Sequence, residues 1–248
     1  HGGMVALIEV GGFGDAAAVL MVHPAVGDVV DPHMIAVTHL EVTYRGRAAH
    51  ASAHPQLGVN ALDAFVQAYV NISTLRQQLY PTDKVHGIVA EGGDAPNIIP
   101  ARTRSSWYVR ATTRDRLDDL LPRVRACFEA AAVATGCEVE IAPAGHTYDD
   151  LVSHPLLAEL FAANAAALGR PMRRGAETDP AGAVSSDIGN VSRVAPTIHP
   201  MLDIGSYPAV NHQPEFAAHT VTPDGERAIR DGALGMAWTV LDLAEREL

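Results

Sequence analysis

The sequence predicts an α/β protein in which a complete ferredoxin-like α+β unit is inserted between two pieces of another domain. Three observations point there. Residues 34–143 follow the order strand, helix, strand, strand, helix, strand, the split βαβ arrangement. Both flanks carry strand and helix patterns of their own. The 248 residues, 48% hydrophobic and 19% charged, suffice to bury one or two ordinary cores. The expected boundaries are 1–33 and 146–248 for the two pieces of the outer domain and 34–145 for the insert.

Two short apolar runs, 4–10 and 19–23, open the chain around Gly11, Gly12 and Gly14. They read as buried strands joined by a glycine turn or short helix, the second closed by Pro24. Residues 34–44 alternate as a half-buried strand does, with β-branched Val37, Thr38, Val42 and Thr43. A helix is predicted over 58–79 from the spacing of Leu62, Phe65, Val66, Tyr69 and Leu75, with Pro81 as its stop. Strands at 84–91 and 102–111 follow, then a helix at 114–135 with Leu117, Leu120, Leu121, Val124 and Phe128 along one side, then a strand at 138–141. The second flank begins with a helix at 154–168 and ends with one at 223–247, whose first turn holds Pro223, Asp224 and Glu226. Between them, residues 178–219 are poor in helix signals and rich in Asp, Ser, His and Pro, the kind of segment on which sites are carried.

Composition and motifs exclude several functions. The net charge is −11, the wrong sign for neutralising phosphates, so no nucleic-acid partner is expected. No apolar run approaches the roughly 20 residues that span a bilayer, so no membrane partner is expected either. There is no GxxxxGK[ST] loop, and a single lysine, Lys84, argues against Schiff-base chemistry. No GxSxG elbow occurs. The run Gly12-Phe13-Gly14-Asp15-Ala16-Ala17 lacks room for the helix that a dinucleotide fingerprint requires. Cys127 and Cys137 form no CxxC and read as packing residues; with no signal peptide they point to the cytoplasm. Of 12 histidines, His23, His54, His154 and His199 each precede proline, which holds its predecessor extended at strand ends and loops. Spacing alone identifies no metal site, since there is no HExxH and no close histidine pair.

The stretch Gly46-Arg47-Ala48-Ala49-His50-Ala51-Ser52-Ala53-His54-Pro55-Gln56-Leu57-Gly58-Val59-Asn60-Ala61-Leu62-Asp63-Ala64 resembles the lid signature of the aminoacylase and carboxypeptidase G group of di-zinc metallopeptidases, family M20, in its aminobenzoyl-glutamate hydrolase and dipeptidase branch. Gly92-Gly93-Asp94-Ala95-Pro96-Asn97-Ile98-Ile99-Pro100, Tyr108-Val109-Arg110-Ala111, Ser186-Asp187-Ile188-Gly189-Asn190-Val191-Ser192 and His212-Gln213-Pro214-Glu215-Phe216 continue it in order. The resemblance implies a zinc-peptidase-like catalytic domain, with the inserted unit as its lid and dimerisation domain. It implies two zinc ions per active site, manganese or cobalt being alternatives, with His23 and His212 as metal ligands and His219 as the weaker choice for the last. His50 would reach the active site of the partner subunit of a homodimer and stabilise the oxyanion. Asn97 and Arg110 would hold the substrate carboxylate, and Asp187 and His199 match positions near the cleft that contact substrate. Simpler roles compete: Arg110 as a sheet-face residue paired with an acid, Asn97 as a turn former, and Asp187 as a cap for the short helix after it.

The implied reaction is metal-dependent hydrolysis of the amide bond of an N-acyl amino acid, an aminobenzoyl-glutamate-like compound or a dipeptide. The sequence also departs from the family. It contains no Glu-Glu pair, whose first member is the family's general base, and His1-Gly2-Gly3-Met4 resembles the stretch just after that pair. This chain would therefore correspond to the C-terminal three fifths of a member, with at most two of five ligands, and is expected to be inactive alone. The alternative is a non-catalytic dimerisation or ligand-binding module that keeps the lid and half the metal site.

Overall fold

A computed structural model describes residues 2–177 and 184–246. His1, residues 178–183 within the segment predicted to be irregular, and the end of the last predicted helix at Glu247 lie outside the described residues. The chain divides into two compact units: Ile35–Asp150 with Gly2, and Gly3–Met34 with the chain from Leu151 onward.

The second unit begins with α1 (Gly3–Glu9), followed by β1 (Val19–Leu20) and β2 (His23–Ala25). The run 4–10, predicted as a buried strand, is thus a helix, and none of its residues is buried. A short apolar run is compatible with either element; here Met4 and Ile8, four apart, pack against Ile188 and Val191, while Leu7 and Val10 face outward.

The first unit holds β3 (Ala36–Arg45), α2 (Ala61–Arg76), β4 (Lys84–Glu91), β5 (Arg102–Ala111), α3 (Arg114–Thr135) and β6 (Glu138–Pro143). Their sheet order is β4-β5-β3-β6, every neighbouring pair antiparallel, which is the ferredoxin-like arrangement. α2 starts later than its apolar spacing indicates, because Asn60 accepts hydrogen bonds from Leu62 N and Asp63 N at 2.9 and 3.4 Å and so sets the N-cap. Thr113 caps α3, and Gly136 ends it in the left-handed region at φ 72°. Both helices cover one face of the sheet. The core there is built on Trp107, Tyr44, Phe128 and Leu120, with Ala61, Ala64 and Ala68 letting α2 approach closely. Tyr44 Oη donates to Phe128 O at 2.9 Å inside this core, and burial pushes its phenol well above the ordinary range. Cys127 and Cys137 are unpaired and pack against the same core, where burial raises the Cys127 thiol.

The second unit resumes with α4 (Pro155–Ala167), α5 (Ile188–Val191), β7 (Thr197–Ile198), β8 (Met201–Asp203), α6 (Pro214–His219) and α7 (Pro223–Glu245). β7 and β8, with α5 and α6, occupy about a third of the segment predicted to be irregular; they are too short for periodicity to reveal. β1 pairs in parallel with β7 and β2 with β8, in the register His23↔Met201 and Pro24↔Leu202. α4 packs on α7 around Phe161, Leu157 and Ala228. A buried ion-pair network braces this unit: Arg170 donates to Asp231 at 2.7 Å, to Asp28 at 3.0 Å and to Asp203 O at 3.1 Å, and Asp28 also accepts from Asp203 N. It therefore ties α7 to the ends of the β2 and β8 pair.

Candidate functional site

Each unit carries its own group of candidate residues. In the first, β3 runs out at Arg45, and the loop that follows pairs with the loop after β4. Ala51 N donates to Asn97 O and Ile99 N donates to Ala49 O, both at 3.0 Å, with His50 bridged to Ile98. Gly46 makes the turn workable, since a Cβ there would lie 2.1 Å from Val59 O. His50 and Asn97 are thus brought side by side on two hydrogen-bonded loops.

The His50 ring is held in one tautomer. Its Nδ1 faces two backbone donors, Ala53 N at 3.2 Å and Ser52 N at 3.4 Å, with Ser52 Oγ at 3.3 Å. An imidazole nitrogen that accepts from N–H groups carries no proton, so the neutral ring holds its hydrogen on Nε2, on an exposed side chain. The loop thereby fashions an outward-facing N–H donor.

Arg110 lies on β5, on the sheet face away from the helices, where the strand register places β3 His39, β5 Tyr108 and β4 His86 in one row. His39 meets the Tyr108 ring edge-on at 4.2 Å between centroids, and Tyr148 stands 5.6 Å from His39. The Arg110 guanidinium lies 5.6 Å from the Tyr108 ring centre and its Nε 3.4 Å from His86 Nε2. Burial, then the Arg110 charge, lowers the affinity of both His39 and His86 for protons. Burial also lowers the Arg110 value, without neutralising so strong a base. His39, His86, Tyr108 and Tyr148 were not singled out as site residues from sequence. Aligning the alternation of β3, β4 and β5 in antiparallel register is the signal that would have found the first three.

In the second unit, His23 opens β2. Its Nδ1 lies 2.8 Å from Pro24 O, so Nδ1 donates and Nε2 keeps a bare lone pair. An apolar cavity of about 320 Å³ lies beside it, lined by Val22, Leu202, Ile204, Ala228 and Met236. The His199 ring is 5.7 Å from that of His23, centroid to centroid. His199 is 1% exposed, and both its ring nitrogens are buried without a hydrogen-bond partner. Burial, helped by His23, lowers its pKa to about 4, so it is neutral near pH 7. Two imidazoles with nitrogens that make no hydrogen bond are the donor chemistry a zinc-like ion requires. Among the described residues, no group of three or more His, Cys, Asp or Glu side chains is arranged to hold a metal.

His212 sits exposed before α6, at a φ of 70°, which a non-glycine residue rarely adopts. Its neighbour Asn211 donates to Pro24 O at 3.3 Å, which anchors the His212 loop on the turn beside His23. Asp187 precedes α5 but makes no capping bond to it, contrary to the simpler role weighed from sequence; its Oδ2 instead accepts from Met4 N at 2.9 Å, at the start of α1. A carboxylate there meets the positive end of the helix dipole.

Residues 37–136 match the peptidase dimerisation domain of the M20 family. The chain is similar to the Xaa-Arg dipeptidase of Mus musculus, 38% identical over 98% of this chain and 56% of that protein. It is also similar to one of the subunits of the p-aminobenzoyl-glutamate hydrolase of Escherichia coli K12, 29% identical over 56% of this chain and 29% of that one. The solved structure of an aminobenzoyl-glutamate utilization protein from Klebsiella pneumoniae shares the fold, with a TM-score of 0.68 at 19% identity over 91% of this chain and 57% of that one. The chain spans about half the length of the dipeptidase it matches. No helix among the described residues is long and apolar enough to cross a membrane.

Proposed function

We infer that the chain belongs to the M20 peptidase family and propose that its protein is a metal-dependent amidohydrolase that cleaves the amide bond of an N-acyl amino acid or a dipeptide. The observation that carries this reading is the fixed tautomer of His50. An imidazole whose Nδ1 is held by Ala53 N and Ser52 N, which leaves Nε2–H as the donor on an exposed side chain, is preorganised to donate to an oxyanion that forms as a carbonyl is attacked. Arg110 and Asn97 bind the substrate carboxylate, the former through its planar fork. His23 and His212 serve as metal ligands, and the bare Nε2 of His23 suits that role. A bound divalent ion such as zinc, manganese or cobalt supplies an acidified water and polarises the carbonyl. Asp187 contributes by holding α1 through Met4 N.

Among the substrates implied by the resemblance, a dipeptide with a basic C-terminal residue is favoured by similarity to the Xaa-Arg dipeptidase, and the net charge of −11 suits a cationic substrate. That the relatives are hydrolases supports this reading over a non-catalytic module. The protein acts as a homodimer through the matched dimerisation domain, where edge strand β4 exposes Ile88 and Val89 and α2 exposes Val66, Tyr69 and Val70. The unpaired Cys127 and Cys137 support a cytoplasmic location, which recovery of the protein outside the cytoplasm on fractionation would overturn.

Hydrolysis of N-acyl amino acids and dipeptides by the whole metal-loaded protein, with and without His50→Ala, tests the reading. The variant should lose about 10²–10³-fold in kcat while its bound metal is unchanged, as expected for one oxyanion donor. An unchanged kcat, or loss of the metal, would refute the role of His50. No turnover of any such substrate by the unaltered protein would refute the reading as a whole.

A further inference from the structure

We propose that His199 is a metal ligand beside His23, forming a two-imidazole centre within the second unit; this rests on the reading of His23 as a ligand. The two residues are brought together by the sheet. Both belong to His-Pro dipeptides, and His23 N donates to Pro200 O at 2.9 Å, so the dipeptides lie alongside each other where β2 pairs with β8. The rings stand 5.7 Å apart with a tilt of 56°. Two imidazoles bound to one tetrahedral ion at about 2.0–2.1 Å place their ring centres about 5 Å apart, so the separation of this pair is close to that of shared ligation.

Nothing else among the described residues completes the hydrogen bonding of this pair. His23 uses Nδ1 on Pro24 O and leaves Nε2 bare. His199 is almost wholly buried with neither nitrogen bonded, a costly arrangement for a polar ring unless a further group completes it. A ligand set of two imidazoles suits a borderline-soft first-row ion such as Zn²⁺ or Co²⁺ more than Mg²⁺ or Ca²⁺, which prefer oxygen. Two protein nitrogens leave the other coordination positions to further ligands or water.

The test uses the whole protein, stripped of metal, with ZnCl₂ and CoCl₂ as probes. Titration calorimetry should show Zn²⁺ affinity at least about tenfold weaker in His199→Gln than in the parent, and a comparable loss in His23→Gln, with folding checked by circular dichroism. An unchanged affinity in folded His199→Gln overturns the proposal. Because His199 is buried, a second measurement on the unaltered chain removes dependence on that variant: ring-nitrogen NMR shifts of the histidines during Zn²⁺ addition. Coordination shifts at both His23 and His199 support the proposal. Shifts at His23 without His199 overturn it and leave the metal-enzyme reading standing. Shifts at neither overturn it and also remove His23 from that reading.

Discussion

Replacing Asp231 by alanine should destabilise the second unit by about 3 kcal/mol, because it breaks a buried ion pair and strands part of a guanidinium charge. The side chains of Arg170 and Asp231 are only 8% and 5% exposed, and their Nε to Oδ2 distance is 2.7 Å. Breaking such a pair by removing one partner costs about 3–5 kcal/mol. The lower end applies, since Arg170 retains Asp28, whose side chain is 19% exposed, at 3.0 Å. The further contact from Arg230, 67% exposed, adds little. Asp231→Asn keeps an acceptor without the charge and should fall between the alanine variant and the parent. The chain's two tryptophans allow the effect to be assigned, because Trp107 lies in the first unit and Trp238 in the second. In a Trp107→Phe background, urea unfolding followed by Trp238 fluorescence reads the second unit, and the parent sequence provides the control. A loss below about 0.5 kcal/mol, the size of an ordinary surface substitution, would refute the view that this network braces the β2 and β8 pair carrying His23.

Two other outcomes follow from the first unit. Ile88, 68% exposed on edge strand β4, should tolerate lysine without loss of the fold, while the proposed dimer weakens into monomer in sedimentation velocity at micromolar concentration; an unchanged dimer would place the contact elsewhere. Burial and the Arg110 charge depress the folded-state proton affinity of His39 and His86, so between that lowered value and the ordinary one near 6.5 the unfolded chain binds more protons. The stability these rings contribute is therefore complete above about pH 6.5 and is lost as pH falls through their folded-state values. Unfolding monitored by Trp107 in a Trp238→Phe background should show a lower midpoint at about pH 5 than at about pH 7.5, and a smaller drop in a His39→Gln/His86→Gln variant. An equal drop in that variant would assign the acid sensitivity to other groups.

Much of the first unit was legible in sequence because its signals are local and repeated. The strands β4 and β5 match their predicted spans, and β5 alternates between buried and more exposed positions along its ten residues. The start of α2 moved because a single capping side chain, Asn60, outweighs the apolar spacing ahead of it. The second unit was less legible. Its strands are two or three residues long, below the length at which any period can be read, and the run 4–10 is apolar enough for either helix or strand.

For the site, sequence alone determined which residue types were available and that the histidines before proline lie at strand ends or in the segments between elements, as His23 does at β2 and His154 does ahead of α4, because those constraints act between chain neighbours. It also carried the lid motif, whose tight His50 loop is a local structure closed by Ser52 and Ala53. The tertiary structure alone decided that His199 faces His23, that Arg110 shares a sheet face with the row of His39, Tyr108 and His86, and that Asp187 caps α1 and not α5. Each of these depends on pairing or packing between segments distant in the chain, where a shift of one residue would turn every side chain of a strand to its opposite face.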